Sequence, residues 1–252
     1  MTEPAVRNGA ALVTGGGRRI GRAICLELAR AGFDVVVHYR SSGAAAESVA
    51  DEVRALGRRA ATLCADLSDE SATRRLIPDA VAAIGPLAVL VNNASVFEDD
   101  RVGSLTRETW DAHMETNLRA PVVLAEAFAE QAPDRSAIVN LLDQRVLKPD
   151  PRFISYALSR NGLWWATQTL AQALAPRIRV NGVGPGPTLP SSHQTPEQFE
   201  AEARATLLAR PGSPEAVASA VRWLVDAELV TGQMIAVDGG QHLAWQTPDI
   251  VE

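Results

Sequence analysis

Lysine is nearly missing from this 252-residue chain: of its 24 basic side chains, Lys148 alone is a lysine and all others are arginine. Cationic roles therefore fall to guanidinium groups, which are planar, carry five donors and keep their proton. Cysteine is scarce as well. Cys25 and Cys64 stand alone in apolar stretches without metal-ligand spacing. That excludes a disulfide scaffold and leads us to expect two inert core thiols and no metal. Aromatics make up 5% of residues, and only Tyr39 and Tyr156 are tyrosines. No apolar run approaches the roughly 18 residues of a membrane-spanning helix. The opening Met1-Thr2-Glu3-Pro4 has no basic segment leading into an apolar one, so a cytoplasmic location is expected. Basic charge is not in excess either: a net charge of −6 argues against nucleic acid or an anionic membrane as partner.

What is present is ample apolar material, 46% of residues against 21% charged, enough to bury a sizeable core. Short β-branched runs alternate with stretches of helical period. Strands are expected at 10–14, 34–38, 60–65, 87–91, 137–142, 177–183 and 234–237. Helices are expected at 19–31, 43–56, 68–84, 106–131, 154–175 and 213–225. Such alternation implies right-handed crossovers and one doubly wound α/β domain, a parallel sheet with helices on both faces. No linker or repeat divides residues 1–252. The proline-rich excursion at 185–211 lacks a sheet partner. It lies beyond the carboxyl ends of the strands, where ligands bind in such sheets, so it is either a lid or a decorative loop.

The first strand runs into Thr14-Gly15-Gly16-Gly17-Arg18-Arg19-Ile20-Gly21 and then a helix. Glycines let the backbone approach a pyrophosphate, and the helix N-terminus stabilises its charge. The second strand ends in His38-Tyr39-Arg40-Ser41, with no acid to hold the ribose of NAD. Arg40, with Ser41 and Arg19, can hold a 2′-phosphate instead, which points to NADPH; the bland alternative is a surface arginine. Asp66-Leu67 ends the third strand. Asp66 either reaches the adenine or, like Ser68, caps a helix.

Tyr156 and Arg160 share one helix face at i and i+4. A fixed cation lowers a phenol's pKa and makes it a usable proton donor.

Taken together, Thr14–Gly21, Asn92-Asn93-Ala94, Asn117, Tyr156-x-x-x-Arg160 and Pro185-Gly186 follow the order and spacing of the short-chain dehydrogenase/reductases, and the resemblance spans nearly the whole chain. It implies a seven-stranded Rossmann-type sheet, a homotetramer built through two long helices, and a small-molecule substrate. It also implies cofactor contacts from Gly15, Arg18, Arg19, Ile20, Asn93, Ala94, Ser95, Pro185, Gly186 and Thr188, and a water held by Asn117. Four departures matter. Arg19 stands where the second glycine is usual. Asp143 stands near the usual catalytic serine, 13 residues before Tyr156. Ser95 and Phe97 follow the Asn-Asn-Ala. These three resemble pteridine reductases and dihydromonapterin reductases, whose arginine joins cofactor and substrate, whose phenylalanine stacks the pterin, and whose aspartate and tyrosine share the proton chemistry. Arg160, the fourth, replaces a lysine; it can bind the ribose and bias the tyrosine but cannot release a proton. From the residues alone, Asp143 can also be a solvated loop acid, and Phe97 can be core packing. Trp164 and Trp165 are expected to serve packing or a subunit interface.

Overall fold

The computed structural model describes residues 9–191 and 193–246; the opening residues Met1–Pro4 considered above lie outside them. Seven strands form one parallel sheet in the order β3-β2-β1-β4-β5-β6-β7. They are β1 (Ala10–Val13), β2 (Asp34–Tyr39), β3 (Ala60–Cys64), β4 (Leu87–Asn92), β5 (Ser136–Leu141), β6 (Ile178–Pro185) and β7 (Met234–Val237). Between them run α1 (Arg19–Arg30), α2 (Gly43–Ala55), α3 (Glu70–Ile84), α4 (Arg107–His113), α5 (Ala120–Gln131), α6 (Ile154–Leu174), α7 (Pro196–Arg204) and α8 (Pro214–Asp226). The central strands β1, β4 and β5 are buried along their whole length, which is why they read as unbroken apolar runs. One core lies between the sheet and α1, α2 and α8, the other between the sheet and α3 and α5. Strand order reverses direction between β1 and β4, so the crevice at their carboxyl ends is the topological switch point.

Several expectations change. The helix expected over 106–131 is three pieces, because Met114–Arg119 is a π-helical segment between α4 and α5. Such segments widen the backbone and often mark functional sites, and Asn117 sits in this one. α3 starts at Glu70 rather than 68: Asp69 is the cap, accepting from the Ser71 and Ala72 backbones, so neither Asp66 nor Ser68 caps it. Pro185 pairs with Val237 at the end of β6, so the excursion begins one residue later, and it contains α7, which periodicity did not reveal. Cys25 is buried as expected, but Cys64 is exposed. β3 is the sheet edge, and its side chains are only partly covered.

Among the described residues no helix is long and apolar enough to cross a membrane, and no cluster of His, Cys, Asp or Glu could hold a metal ion.

Candidate functional site

The glycine loop joins β1 to α1 at the switch point. A Cβ at Gly21 would overlap the Gly15 carbonyl oxygen, so the chain can pack here only as glycine. Arg19, where the resemblance expects glycine, has φ 51°, a left-handed conformation that costs a side-chain-bearing residue of order 1 kcal/mol or more. Thr14 and Asn93 lock the loop to β4. Thr14 Oγ1 accepts from the Asn93 and Ala94 backbones at 2.9 and 3.0 Å, and Asn93 Nδ2 donates to the Thr14 carbonyl at 2.8 Å. No side chain caps the N-terminus of α1 and its first turn holds no acid, so its backbone N–H groups are free for an anion.

His38 is a component sequence reasoning missed. Its Nδ1 accepts the Gly15 N–H at 3.0 Å, which leaves the proton on Nε2 to donate to the Ala65 carbonyl at 3.0 Å. The ring thus ties the glycine loop to the end of β3. Burial pulls its pKa down to about 4, so it is neutral. Arg40 and Ser41 are exposed at the end of β2, with Asp66 close enough to Arg40 for its carboxyl to be held down by it, after its own hydrogen bonds to Ser68. Leu67 is core. Arg18 is exposed. Arg19 turns the other way: its Nη2 donates to the Leu189 and Pro190 carbonyls at 3.3 and 2.9 Å. It clasps the excursion, leaving Arg40 as the cation beside Asp66.

At the other end, the Tyr156 hydroxyl donates to Asp143 Oδ2 at 2.8 Å. Asp143 is not a solvated loop acid. It caps the short 3-10 turn Gln144–Val146, accepting the Arg145 backbone N–H at 2.8 Å, and the Arg145 guanidinium returns to it at 3.3 Å. Phe97 is no mere core residue either. Its ring stands edge-on to Tyr156 at 4.7 Å and packs on Phe153 at 4.5 Å. Arg145 lies against both phenylalanines, 5.9 Å from Phe97 and 5.4 Å from Phe153, and its buried Nε has no hydrogen-bond partner. Burial opposes the Arg145 charge, but Asp143, Glu202 and Asp150 hold it. The sequence local to Arg145 shows only its near carboxylates Asp143 and Asp150; Phe97 comes from another loop and Glu202 from α7.

Arg160 is buried. Its Nη1 donates to the Leu141 carbonyl at the end of β5 at 2.8 Å, and its guanidinium lies 5.2 Å over the Tyr156 ring. It does pull the phenol pKa down. The expectation of a net decrease is nevertheless corrected: burial above all, and then the Asp143 carboxylate, push the Tyr156 pKa up. Spacing places the cation but cannot report the two larger effects. The hydroxyl is therefore held as a neutral phenol donating to a carboxylate.

Asn117 has its side chain engaged. Oδ1 accepts the Val96 N–H at 2.8 Å, and Nδ2 donates to the Val96 carbonyl at 2.9 Å and to Ser159 Oγ at 3.2 Å. It pins the loop segment that leads from β4 to Phe97. Asn92 lies behind it, donating to Asn140 across β4 and β5. A cavity of about 950 Å³ is lined by Ile20, Asn93, Ser95, Phe97, Asp143, Tyr156, Arg160, Pro185, Gly186 and Thr188 together with Arg145 and Lys148, whereas Gly15, Arg18, Arg40, Ser41 and Asp66 lie outside its lining. Its roof is the excursion, tied on one side by Arg19 and on the other by His193, whose Nε2 meets the Phe97 carbonyl at 3.2 Å. Trp165 is 68% exposed on α6 and Trp164 half-buried, both away from this cavity's lining.

Comparison with known proteins bears on the fold and the family. Residues 15–242 match the family model described as enoyl-(acyl carrier protein) reductase. The chain is 33% identical over 250 residues to the short-chain dehydrogenase/reductase FrzI of Cladobotryum sp, covering 94% of this chain and 97% of that protein. It is 34% identical over 243 residues to the 3-oxoacyl-[acyl-carrier-protein] reductase FabG of Staphylococcus aureus, covering 92% and 98%. Among solved structures, FolM alternative dihydrofolate reductase 1 from Brucella suis in complex with NADP is 48% identical with a TM-score of 0.93, covering 97% of this chain and 99% of that one. This chain belongs to the short-chain dehydrogenase/reductases.

Proposed function

We propose that the chain is an NADPH-dependent reductase of a pterin-like heterocycle. The observation that carries this reading is the 2.8 Å hydrogen bond from Tyr156 to Asp143 beside the ring of Phe97. A carbonyl reductase needs only neutral donors at its substrate oxygen. A ring imine takes hydride at carbon and a proton at nitrogen, which suits a carboxyl group that can accept and then donate. The 48% identity to proteins called alternative dihydrofolate reductases supports the same reading.

The chain's residues fit the cofactor. The uncapped start of α1, the close approach at Gly21 and the absence of an acid after β2 suit a pyrophosphate and a 2′-phosphate. Gly15, Arg18, Ile20, Asn93, Ala94, Pro185, Gly186 and Thr188 would line its path, Arg40 and Ser41 would take the phosphate, and Asp66 and Leu67 would flank the adenine. NADPH supplies the hydride when bound. Phe97 and Ser95 hold the flat ring, Tyr156 delivers the proton, Asp143 shares it, and Arg160 favours the charge that develops on the phenol oxygen. Arg19 closes the excursion that follows Pro185 as a lid. The exposed Trp165 on α6 suits the expected homotetramer, and the reading includes a cytoplasmic setting.

A second reading, reduction of a 3-oxoacyl thioester, is favoured by the FabG relatives. NADPH oxidation measured against dihydropterins, dihydrofolate, biopterin and simple ketones separates the two. A dihydropterin should give the highest kcat/KM; preference for a ketone or acyl thioester would reverse the assignment.

A further inference from the structure

Asp100, His113 and Ser155 come from three separate segments and meet in the interior, each no more than 1% exposed. By composition they could be a hydrolytic triad. The hydrogen-bond directions exclude it. The Glu98 backbone N–H donates to His113 Nε2 at 3.0 Å, so that nitrogen carries the lone pair and the proton is on Nδ1. Nδ1 donates to Ser155 Oγ at 2.7 Å, and Ser155 Oγ donates to Asp100. The serine proton faces a carboxylate rather than the imidazole, so the imidazole cannot activate it as a nucleophile.

The same carboxylate has a second task. It accepts the Ser155 N–H at 3.1 and 3.2 Å, and the Asp100 carbonyl accepts the Ile154 N–H at 3.3 Å. Those are first-turn groups of α6. This helix has no cap of its own, because Phe153 occupies the N-cap position with φ 59° and offers no acceptor side chain. Asp100 is a cap borrowed from a distant loop, with its charge at the positive end of the helix dipole.

Each member adjoins a residue of the site. Asp100 lies three residues after Phe97 in the same loop. His113 lies one turn before Asn117, and its ring stands 5.8 Å from that of Tyr156. Ser155 immediately precedes Tyr156. We propose that the His113–Ser155–Asp100 chain is a positioning unit that holds the Phe97 loop and the π-helical segment in register with Tyr156. The proposal rests on Tyr156 as the proton donor and is independent of which substrate it serves.

The test uses the full chain with NADPH bound. Ser155→Ala removes the hydroxyl link but keeps the backbone cap, and Ser155→Thr keeps the hydroxyl. Ser155→Ala should lower kcat about tenfold or more, on whichever substrate of the pterin and ketone panel turns over, since displacements near 1 Å are that costly. NADPH affinity should stay within about twofold, hydrogen exchange at the Glu98 amide should quicken at least about tenfold as its acceptor loosens, and Ser155→Thr should recover both. If Ser155→Ala does not fold, His113→Gln reads the same quantities. Wild-type kcat in Ser155→Ala, or equal losses in kcat and NADPH affinity, would overturn the proposal. If no substrate turns over, the pterin reading fails but this one is still decided: unchanged protection at Glu98 refutes it.

Discussion

Replacing Arg160 with methionine removes a buried cation while keeping an unbranched chain of similar reach. The guanidinium lies 5.2 Å over the Tyr156 ring. At an effective permittivity of about 20, a unit charge at that distance is worth about 3 kcal/mol to the phenolate. A proton transfer that feels about half of that slows roughly tenfold. Stability should change less. The Leu141 carbonyl loses a donor, which costs about 1–3 kcal/mol, but the unpartnered, desolvated Arg160 Nε is removed as well. Single-turnover NADPH oxidation at saturating substrate measures the chemical step directly. Arg160→Met should be about tenfold slower than wild type, while Arg160→Lys, which restores a compact cation, should remain within about threefold. Wild-type speed in Arg160→Met would refute the electrostatic reasoning. So would Arg160→Lys as slow as Arg160→Met, since that would assign the effect to shape.

Arg40→Ala should weaken NADPH binding about tenfold and leave NADH binding unchanged, read by titration calorimetry, because the exposed guanidinium can gain only the 2′-phosphate. His38 gives a pH dependence. Its folded pKa, near 4, lies below the ordinary imidazole value of 6.5, so between those values the unfolded chain binds more protons and stability falls as pH falls. Urea unfolding of the wild type should lose about 2 kcal/mol between pH 7.5 and 5 from this group. His38→Gln, which can still accept the Gly15 N–H, should not show that portion of the loss.

The sheet was legible because parallel strands covered on both faces leave unbroken apolar runs, and the glycine loop because only glycine fits at position 21. Asp143 was legible from its place two residues past β5. Arg145, His38 and the Asp100–His113–Ser155 chain were not. The partners of His38 and of that chain lie 23, 42 and 55 residues away in sequence, Arg145 also reaches Phe97 on another loop and Glu202 on α7, and no local period encodes such pairings. The phenol's pKa direction was misread for a related reason: the i, i+4 spacing shows one cation, whereas burial and Asp143 are tertiary facts. Cys64 was misplaced because an apolar strand pattern does not announce which strand becomes the sheet edge.

The central claim, that Asp143 and Tyr156 together protonate a pterin-like ring, is tested most directly by dihydropterin turnover in Asp143→Asn. The amide preserves the shape and can still accept the Arg145 N–H, but it cannot take or return a proton. Turnover should fall by on the order of 10²-fold or more, with NADPH affinity kept. Unchanged turnover would contradict the account, making Asp143 a loop cap and removing the main support for a pterin substrate.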